Sequence, residues 1–524
     1  MADVRPTTNS RMAWPVALMG LGLFVFAIVA LSGPGRIDVV EGQTRFEVGR
    51  SLVEHGDSVL RDDRVYWNRY PGRDGNDYSY DRLPSCAVAA GTIWVADATG
   101  PVDEGRRHFF YSLGGAVACG LLCILYAIWF RRMGCRPLSS LLWAVGGIFC
   151  MPMWISGTST FDEYLGTLVL IAALLCASLS RGLPLGAMLT GALLGLAYNC
   201  HQPLAAFALV ALALHDDPAL PRYQRLLNVA YICVGLFAGY IGDRVYDHLK
   251  FPVDKEVAHA EQRALFGAAF GNQQLAAATV LTVSPAAGVL WYAPAMLLGL
   301  WGLAAKWRSE RRLVVAVVMA SIFYFAYVVS LSNFKGDPCW GPRHLVPLLG
   351  VLWLFAPFGA SRMRQQFVAA LLVLGLLVQV LGLAVDTHRL YVERDRSARS
   401  GRDDPWTYFA VSSSHLIQRP REIVEIARDE QPVEAYTPSP TPTFAFPTLD
   451  PPHLEERGPD AVRRYRTLNG LRPWWSSLTW LQPDDRPVPL GRTVAFLLWI
   501  AGVGLLLVGV CASRIEGQSP TTGS

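Results

Sequence analysis

Long apolar runs separated by short polar segments dominate the chain from end to end. Most of these runs have about 17–22 residues, the length that a helix needs to cross a hydrocarbon core of about 30 Å. Read in order, the runs lie near 13–32, 109–130, 138–156, 164–180, 183–199, 203–214, 226–242, 286–304, 313–331, 344–358, 367–386 and 491–512. The pattern predicts an all-α polytopic membrane protein with about 12 transmembrane helices.

Two of the polar segments between the runs are long, and they differ in character. Segment 33–108 follows the first run, and its positions 44–55 have the period of an amphipathic helix lying in the membrane interface. We expect the apolar side of this helix to hold Phe46, Val48, Leu52 and Val53, and the side facing water or headgroups to hold Arg45, Glu47, Arg50 and Glu54. Segment 387–490 contains "EAYTPSPTPTFAFPTLDPP", whose composition favours mostly irregular chain.

The distribution of these segments predicts three parts of the chain. Residues 1–386 form the transmembrane module, with interfacial helices in the outer loop 33–108. Residues 387–490 form an extracytoplasmic loop or small domain, and 491–524 form the final transmembrane helix with a cytoplasmic tail.

The charged residues indicate which side of the membrane each loop occupies. Only 17% of the residues are charged, against about 25% in soluble domains. The short loops on one side carry Arg131, Arg132, Arg136, Arg181, Arg222, Arg225, Lys306, Arg308, Arg311, Arg312, Arg362 and Arg364. Such loops are typically cytoplasmic, which puts both termini in the cytoplasm of a plasma (inner) membrane protein. The long loops are then extracytoplasmic, where ATP and nucleotide-sugars are absent, so a lipid-linked donor, a gradient or the substrate itself must supply the energy.

Two acids lie where the first predicted helix emerges on the outer side. Asp38 and Glu41 precede the interfacial helix, within "RIDVVEG". An acid at such a boundary is partly desolvated, which raises its pKa and suits it to take a proton. Either residue could act as a general base.

Three further outer segments carry side chains suited to chemistry. Arg82 precedes a proline in "YDRLPS", and Asp162 and Glu163 begin a helix in "STFDEYLG", where acids also stabilise the helix terminus. Arg343 and His344 stand at the entrance of the tenth run in "GPRHLVPLL". An arginine in such a turn can hold a phosphate through two parallel hydrogen bonds. Acidic and basic candidates therefore gather on the outer side.

Several classes of protein find no support in the sequence. No P-loop, GxSxG, HExxH or dinucleotide-binding motif occurs, and the basic, aromatic-rich stretches typical of nucleic-acid binding are missing. A transporter or flippase would carry ionisable residues in the middle of its helices, and the apolar runs are almost free of charge. A non-catalytic scaffold whose outer loop binds a partner is the third alternative.

The order of these features resembles the GT-C-type membrane glycosyltransferases that use polyprenyl-phosphate sugars, in particular bacterial relatives of protein O-mannosyltransferases and lipid A aminoarabinose transferases. "EGQTRFEVGRSLVEHGD" is similar to the acidic motif and helix after their first span, with Glu41 where an Asp is usual, so Asp38 stays an alternative. "YDRLPS" resembles their KxP element, with Arg82 at the Lys position. "ISGTSTFDEYLG" resembles the turn after their third span, with Glu163 at the position of its acid. "SPAAGVLWYAPAMLLGLWGL" and "KGDPCWGPRHLVPLLG" complete the resemblance, which spans residues 13 to about 386.

The resemblance implies an inverting transfer of a sugar from a polyprenyl-phosphate donor to an acceptor hydroxyl on the outer side. Glu41 or Asp38 would be the catalytic base. Arg82 and Arg343, with His344, would bind the donor phosphate.

The resemblance also implies a supporting role for a second pair of acids. Glu163, with Asp162 beside it, would orient the acceptor or support a divalent metal site with Glu41. No cofactor is certain, and the sequence does not identify a ligand set for a metal. The expected partners are the lipid-linked donor, membrane lipid and a protein, glycolipid or polysaccharide acceptor.

Overall fold

The computed structural model describes most of the predicted transmembrane module and parts of the rest. The described residues are 8–35, 37–61, 69–251, 272–331, 334, 339–385, 409, 414–428 and 490–516. Most of the predicted loop 387–490 lies outside them, so its irregular character stays a prediction.

Helices make up almost all of the described chain, which is a multi-pass, predominantly helical membrane protein. In the first half they are α1 (Thr8–Ser32), α2 (Val40–Glu54), α3 (Leu83–Ala98), α4 (Glu104–Ser112), α5 (Gly114–Arg132), α6 (Pro137–Phe149), α7 (Met153–Thr158), α8 (Glu163–Leu179), α9 (Pro184–Cys200), α10 (Ala208–His215) and α11 (Arg222–Lys250). In the second half they are α12 (Asn272–Val283), α13 (Val289–Tyr292), α14 (Met296–Lys306), α15 (Arg311–Val329), α16 (Val346–Trp353), α17 (Ala356–Ala360), α18 (Gln365–Ala384), α19 (His415–Ala427) and α20 (Leu490–Glu516). Short 3₁₀ helices at Gln202–Phe207 and Arg343–Leu345 lead into α10 and α16.

The predicted number of 12 spans is not confirmed. Six of the described helices are long and apolar enough to cross a membrane, namely Ala13–Ser32, Glu104–Arg132, Arg222–Lys250, Arg311–Val329, Gln365–Ala384 and Thr493–Cys511. Three predicted spans are instead divided into shorter helices near a proline, which lacks the N–H that a continuous helix needs. The breaks come at Pro152 between α6 and α7, at Pro294 between α13 and α14, and before Pro357 in α17.

The outer segment after α1 differs from the all-α prediction by one small hairpin. Strands β1 (Arg69–Pro71) and β2 (Asp77–Ser79) pair antiparallel, with Arg69 opposite Ser79. Gly75 takes a φ of +83° in the connecting turn, a conformation that glycine adopts without strain. The hairpin packs against α11 because the Lys250 ammonium donates to the Ser79 carbonyl at 2.8 Å.

Helix α11 connects two charged ends of the molecule. In its first turn, Arg225 pairs with Asp216 at 2.6 Å, and Arg181 after α8 and Arg312 in the first turn of α15 also contact Asp216. Near its other end, Asp243 pairs with Arg82. Positions 225 and 243 are 18 residues apart, about 27 Å along a helix at 1.5 Å per residue. Three of the predicted arginine-rich loops therefore meet at one end of the molecule, and the candidate site residue Arg82 lies at the other.

Buried aromatic side chains fix α16, which begins next to Arg343 and His344. The Trp129 indole N–H donates to the Leu354 carbonyl at 3.2 Å, and the Tyr126 hydroxyl donates to the Gly350 carbonyl at the same distance. The Trp353 indole N–H donates to the Trp143 carbonyl at 2.9 Å. Two of these bonds use carbonyls at the C-terminal end of α16, where helix carbonyls lack intrahelical partners, and together the three fix that end of the helix.

Helix α19, the longest described part of the segment 387–490, docks on the transmembrane helices. The Ser414 hydroxyl donates to the Pro285 carbonyl at 2.7 Å. Arg419 is buried, pairs with Glu422 at 3.0 Å and lies 5.4 Å from the centre of the Trp340 ring. This helix therefore covers Trp340.

Candidate functional site

Helix α2 carries site residues that face inward. It begins at Val40, so Glu41 lies in its first turn rather than before it. Arg45 and Glu47 are only 4% and 3% exposed, and the prediction that these two face water or headgroups is wrong. The physical reason is that α3 covers α2. A Cβ on Gly49 would come within 2.7 Å of the Ala89 Cβ, so the two helices touch backbone to backbone and enclose the charges.

Arg343 joins the two predicted acids Glu41 and Glu163. Its Nη2 donates to Glu41 Oε1 at 3.1 Å, and its Nε lies 3.3 Å from Glu163 Oε1. The guanidinium also lies 4.0 Å from the centre of the Phe161 ring, and His344 Nδ1 is 3.6 Å from Glu163 Oε1. Burial favours the neutral form of Arg343, but Glu163 and Glu41 outweigh it and raise the pKa of Arg343 above its usual range. Four predicted site residues thus form one contact group.

Arg45 organises a second group of acids next to the first. Its Nη1 lies 3.2 Å from Asp162 Oδ2 and 3.7 Å from Asp81 Oδ1, and the Ser85 hydroxyl donates to Asp162 at 3.0 Å. Burial raises the pKa of Asp81, against the pull of Arg45. Burial would raise the pKa of Asp162 too, but Arg45 and other partners hold it below its usual value. We call Glu41, Asp162, Glu163, Arg45 and Arg343 the site cluster.

Asp38 is held beside the site cluster by Thr160. Its Oδ1 accepts from the Thr160 backbone N–H at 2.8 Å and from the Thr160 hydroxyl at 2.7 Å. The Arg45 Nη2 donates to the Thr160 carbonyl at 2.9 Å, which links Asp38 to the cluster through one residue. Both candidate bases, Asp38 and Glu41, are therefore anchored through one oxygen each.

Arg82 does not join the site cluster through an ion pair that the structure shows. It pairs instead with Asp243 and lies 3.8 Å from Asp247, both on α11. Arg244 pairs with the same two acids, at 3.0 Å and 3.4 Å. Asp243 is not among the predicted site residues, because it directly follows the apolar run 226–242. An acid at the edge of an apolar helix is the signal that could have found it.

The charges of Arg82 and Arg343 both reach the ring of His201, a residue for which the sequence predicts no role. Its ring stacks on that of His344 with centres 6.3 Å apart and planes 12° from parallel. Burial lowers the pKa of His201 to about 4, with Arg82 and Arg343 acting in the same direction and Asp162 opposing them. Both arginines therefore lie within electrostatic reach of this imidazole, which is neutral at physiological pH.

A small cavity opens beside the site cluster. Its lining includes Asp38 and Arg343, and the other lining residues are Pro152, Ile155, Ser156, Thr158, Ser159, Phe161, Cys339, Trp340, Val346, Gly382 and Leu383. The volume is about 40 Å³, and one side is open. A bound group in the cavity would lie next to the candidate base Asp38 and the bridging Arg343.

The acids of the site cluster pair with guanidinium groups. Within the described ranges, no three His, Cys, Asp or Glu side chains are grouped so that they could hold a metal ion. Glu41 and Glu163, the pair considered for a metal, share Arg343. The described residues therefore do not define a metal centre.

Comparisons with known proteins find similarity at the level of solved structures. No protein-family model matches the chain, and no curated protein matches it. The crystal structure of ArnT from Cupriavidus metallidurans bound to undecaprenyl phosphate is 15% identical over 98% of this chain and 81% of that chain, with a TM-score of 0.44. The Archaeoglobus fulgidus oligosaccharyltransferase in complex with Zn and sulfate is 12% identical over 74% of this chain and 57% of that chain, with a TM-score of 0.39.

Another structure of the archaeal enzyme, tethered with an acceptor peptide containing the NVT sequon, is 11% identical, with a TM-score of 0.40, over 77% of this chain and 59% of that chain. These proteins are of the GT-C type that the sequence resembles. The TM-scores lie below 0.5, so the assignment of a function rests on the residues of the site.

Proposed function

We propose that this protein is a membrane glycosyltransferase that moves a sugar from a polyprenyl-phosphate donor to an acceptor hydroxyl, with inversion at the anomeric carbon. The observation that carries the proposal is the site cluster, in which Arg343 bridges Glu41 and Glu163 at 3.1 Å and 3.3 Å. Three separate stretches of chain supply its charged groups to one place, although burying charges is costly. A reaction that needs both a carboxylate base and a cation beside a leaving phosphate accounts for that arrangement.

The proposed reaction uses either Glu41 in the first turn of α2 or Asp38, two residues before the helix. Glu41 or Asp38 takes the proton of the acceptor hydroxyl, and the hydroxyl oxygen attacks the anomeric carbon. The bond between that carbon and the phosphate oxygen breaks, and its electron pair stays on the phosphate as polyprenyl phosphate leaves. Asp38 lines the cavity and Glu41 contacts Arg343, so both are beside the same space.

Cationic groups stabilise the charge that develops on the leaving phosphate. Arg343 Nη1 has no hydrogen-bond partner among the described residues, so it can donate to a phosphate while Nη2 and Nε keep their acids. His344 is the next residue and contacts Glu163. Arg82, whose charge also reaches His201, would act after partial release from Asp243.

The acids that do not act as base orient the acceptor in this proposal. Glu163 and Asp162 are adjacent in sequence and are held by Arg343 and Arg45, respectively. A protein, a glycolipid or a polysaccharide could supply the hydroxyl. A divalent metal bound by Glu41 and Glu163 would require Arg343 to move away from both.

The location that we propose is the extracytoplasmic face of the plasma (inner) membrane, with both termini in the cytoplasm. The support is the positive-inside tendency of the arginine-rich loops. Three of those loops meet at Asp216, at the end of α11 opposite to Asp243.

Transfer activity with Glu41→Gln and Asp38→Asn tests this proposal. The purified protein in detergent is given polyprenyl-phosphate mannose and a panel of hydroxyl acceptors, and the release of polyprenyl phosphate is measured. We expect the variant that lacks the base to lose at least 100-fold in rate, since general base catalysis contributes about 10²–10⁴-fold. Wild-type rates in both variants would contradict the assignment of the base.

A further inference from the structure

The cavity beside the site cluster is lined by residues with unpaired polar groups. The hydroxyls of Ser156 and Ser159, the Trp340 indole N–H and Arg343 Nη1 have no hydrogen-bond partner among the described residues. Ser156 and Ser159 are each 7% exposed, and Trp340 is 2% exposed. Because buried polar groups are almost always paired in folded proteins, four such groups around one cavity indicate a polar occupant.

The size of the cavity limits what it can hold. At roughly 10–15 Å³ per water-sized group, about 40 Å³ has room for about three such groups. Gly382 packs tightly in one wall, because a Cβ there would lie 2.8 Å from an atom of the Trp340 ring and still closer to Ile155 Cδ1. The space suits one edge of a single sugar ring and is too small for a disaccharide.

The chemistry of the wall distinguishes neutral from charged occupants. An indole N–H and a guanidinium only donate hydrogen bonds, so the occupant must offer acceptor oxygens, which an ammonium group does not have. A carboxylate would accept, but Arg343 already faces Glu41 and Glu163, and Asp38 lies on the same wall. Arg343 Nη1 is also the donor proposed for the leaving phosphate, so a carboxylate on the ring would compete with that phosphate and add to the negative charge around one guanidinium. Hydroxyl groups meet both conditions.

We propose that this cavity binds the hydroxyl-bearing edge of one neutral sugar ring, and that Ser156, Ser159 and Trp340 select it over amino sugars and uronic acids. The inference rests on the proposed function, since it names the class of sugar used by the same site. Asp38 and Arg343 belong to both the cavity wall and the reacting groups, so the bound ring lies beside the bond that changes. The ring can come from the lipid-linked donor or from a glycosylated acceptor.

Equilibrium binding to the full-length protein in detergent tests the pocket without relying on turnover. The probes are polyprenyl-phosphate mannose, polyprenyl-phosphate aminoarabinose, polyprenyl-phosphate galacturonate and bare polyprenyl phosphate. The variants are Ser156→Ala with Ser159→Ala, Trp340→Phe, which removes the N–H and keeps a ring, and Gly382→Ala, which pushes a methyl group against Ile155 and Trp340 in the wall. Ser140→Ala is the matched control, because Ser140 is fully buried and its hydroxyl already donates to the Arg136 carbonyl at 3.0 Å outside the cavity.

We expect the wild type to bind the mannose donor at least tenfold more tightly than the aminoarabinose and galacturonate donors. The double serine variant should bind the mannose donor about 10- to 30-fold more weakly, as expected for two lost hydrogen bonds, and bare polyprenyl phosphate as the wild type does. If the ring comes from the acceptor, the dissociation constants of the variants for the donor stay unchanged. The KM for a glycosylated acceptor then rises by the same factor. Either result supports a neutral-sugar pocket.

Two outcomes would contradict the proposed sugar pocket without contradicting the proposed function. One is wild-type binding and KM in all three pocket variants, with normal transfer. The other is a wild-type preference for the amino or the acidic sugar. A protein that neither binds bare polyprenyl phosphate nor transfers sugar would instead contradict the proposed function, and the pocket inference with it. Thermal unfolding of each variant shows whether a loss comes from misfolding.

Discussion

Arg343 is a largely buried cation that links two acids of the site. Its side chain is only 11% exposed, and it is the cation that faces both Glu41 and Glu163. Removing one member of a buried ion pair leaves the other charges without compensation, which is more costly than removing the whole pair. The arginine therefore stabilises the fold as well as serving the proposed reaction.

Replacement of Arg343 by methionine should lower the free energy of unfolding by about 3–5 kcal/mol. Adding Glu163→Gln to the same chain should restore part of the loss, because one of the uncompensated carboxylates is then neutral. Chemical or thermal unfolding in detergent measures both effects. Arg421→Met is the control, since Arg421 is 78% exposed and pairs only with Glu425 among the contacts described. Equal stability of Arg343→Met and the wild type would contradict the buried ion-pair network.

His201 should make stability depend on pH below neutrality. Its pKa is about 4 in the folded protein and about 6.5 when unfolded, so the unfolded chain binds the proton more readily. The stabilisation is present above about pH 6.5 and is lost as the pH falls towards 4, on the order of 3 kcal/mol in total. His201→Gln should reduce the slope of unfolding temperature against pH between 7 and 4.5, and His55→Gln, at an exposed position, should not. Identical slopes for His201→Gln and the wild type would show that the imidazole is not buried.

At the scale of elements, close contacts between glycines hold the last helix to the first. A Cβ on Gly504 would lie 2.5 Å from the Gly20 carbonyl oxygen, so α20 and α1 approach each other backbone to backbone. Small residues allow such approaches between membrane helices. Glycines also allow α9 and α11 to approach closely, where Gly195 faces Gly239. The contact between α20 and α1 fixes the position of α1, and with it the start of the segment that carries Asp38 and Glu41.

Gly504→Ala and Gly502→Ala form a matched pair that tests this contact. Both changes gain helix propensity, but only position 504 has backbone atoms in the space of the new methyl group, since nothing lies within 4 Å at position 502. We expect Gly504→Ala to lower stability by about 1–3 kcal/mol relative to Gly502→Ala, measured by unfolding in detergent. Equal stabilities would mean that α20 does not pack on α1 as described.

At the scale of the whole molecule, two different groups of charged residues lie near the two ends of α11. Arg181, Arg225 and Arg312 meet at Asp216 near one end of α11, and Arg82 pairs with Asp243 near the other. Exposed positions are available at both ends, with Asn76 in the β1–β2 hairpin and Ala219 in the loop before α11.

Cysteine labelling can test which end faces outward. Asn76→Cys should react with a membrane-impermeant maleimide in intact spheroplasts, whereas Ala219→Cys should react only after permeabilisation. The unsubstituted protein, which retains its ten cysteines, gives the background. The reverse pattern would put the site cluster in the cytoplasm and contradict the proposed orientation.

The sequence predicted the class of fold and several members of the site, and its limits have physical causes. Apolar runs identify membrane helices, but the prolines at 152 and 294 divide predicted spans, and hydropathy alone does not count such breaks. Periodicity assigned Arg45 and Glu47 to a solvated face, because nothing local reveals that α3 covers them. Separate motifs predict Glu41, Glu163 and Arg343 as site residues, and the fold shows that these residues contact each other. Asp81 and His201 were missed because their roles come from neighbours distant in sequence.

The most direct test of the central claim is a single-turnover assay of sugar transfer from polyprenyl-phosphate mannose by the purified protein. The release of polyprenyl phosphate is compared for the wild type, Glu41→Gln, Asp38→Asn, Arg343→Met and Glu310→Gln. Glu310 is the control, as an exposed acid just before α15, remote from the site cluster. We expect transfer by the wild type and Glu310→Gln, and a loss of at least 100-fold in Arg343→Met and in one of the two acid variants. Transfer at the wild-type rate in all four variants, or none by the wild type with any neutral-sugar donor, would contradict the account.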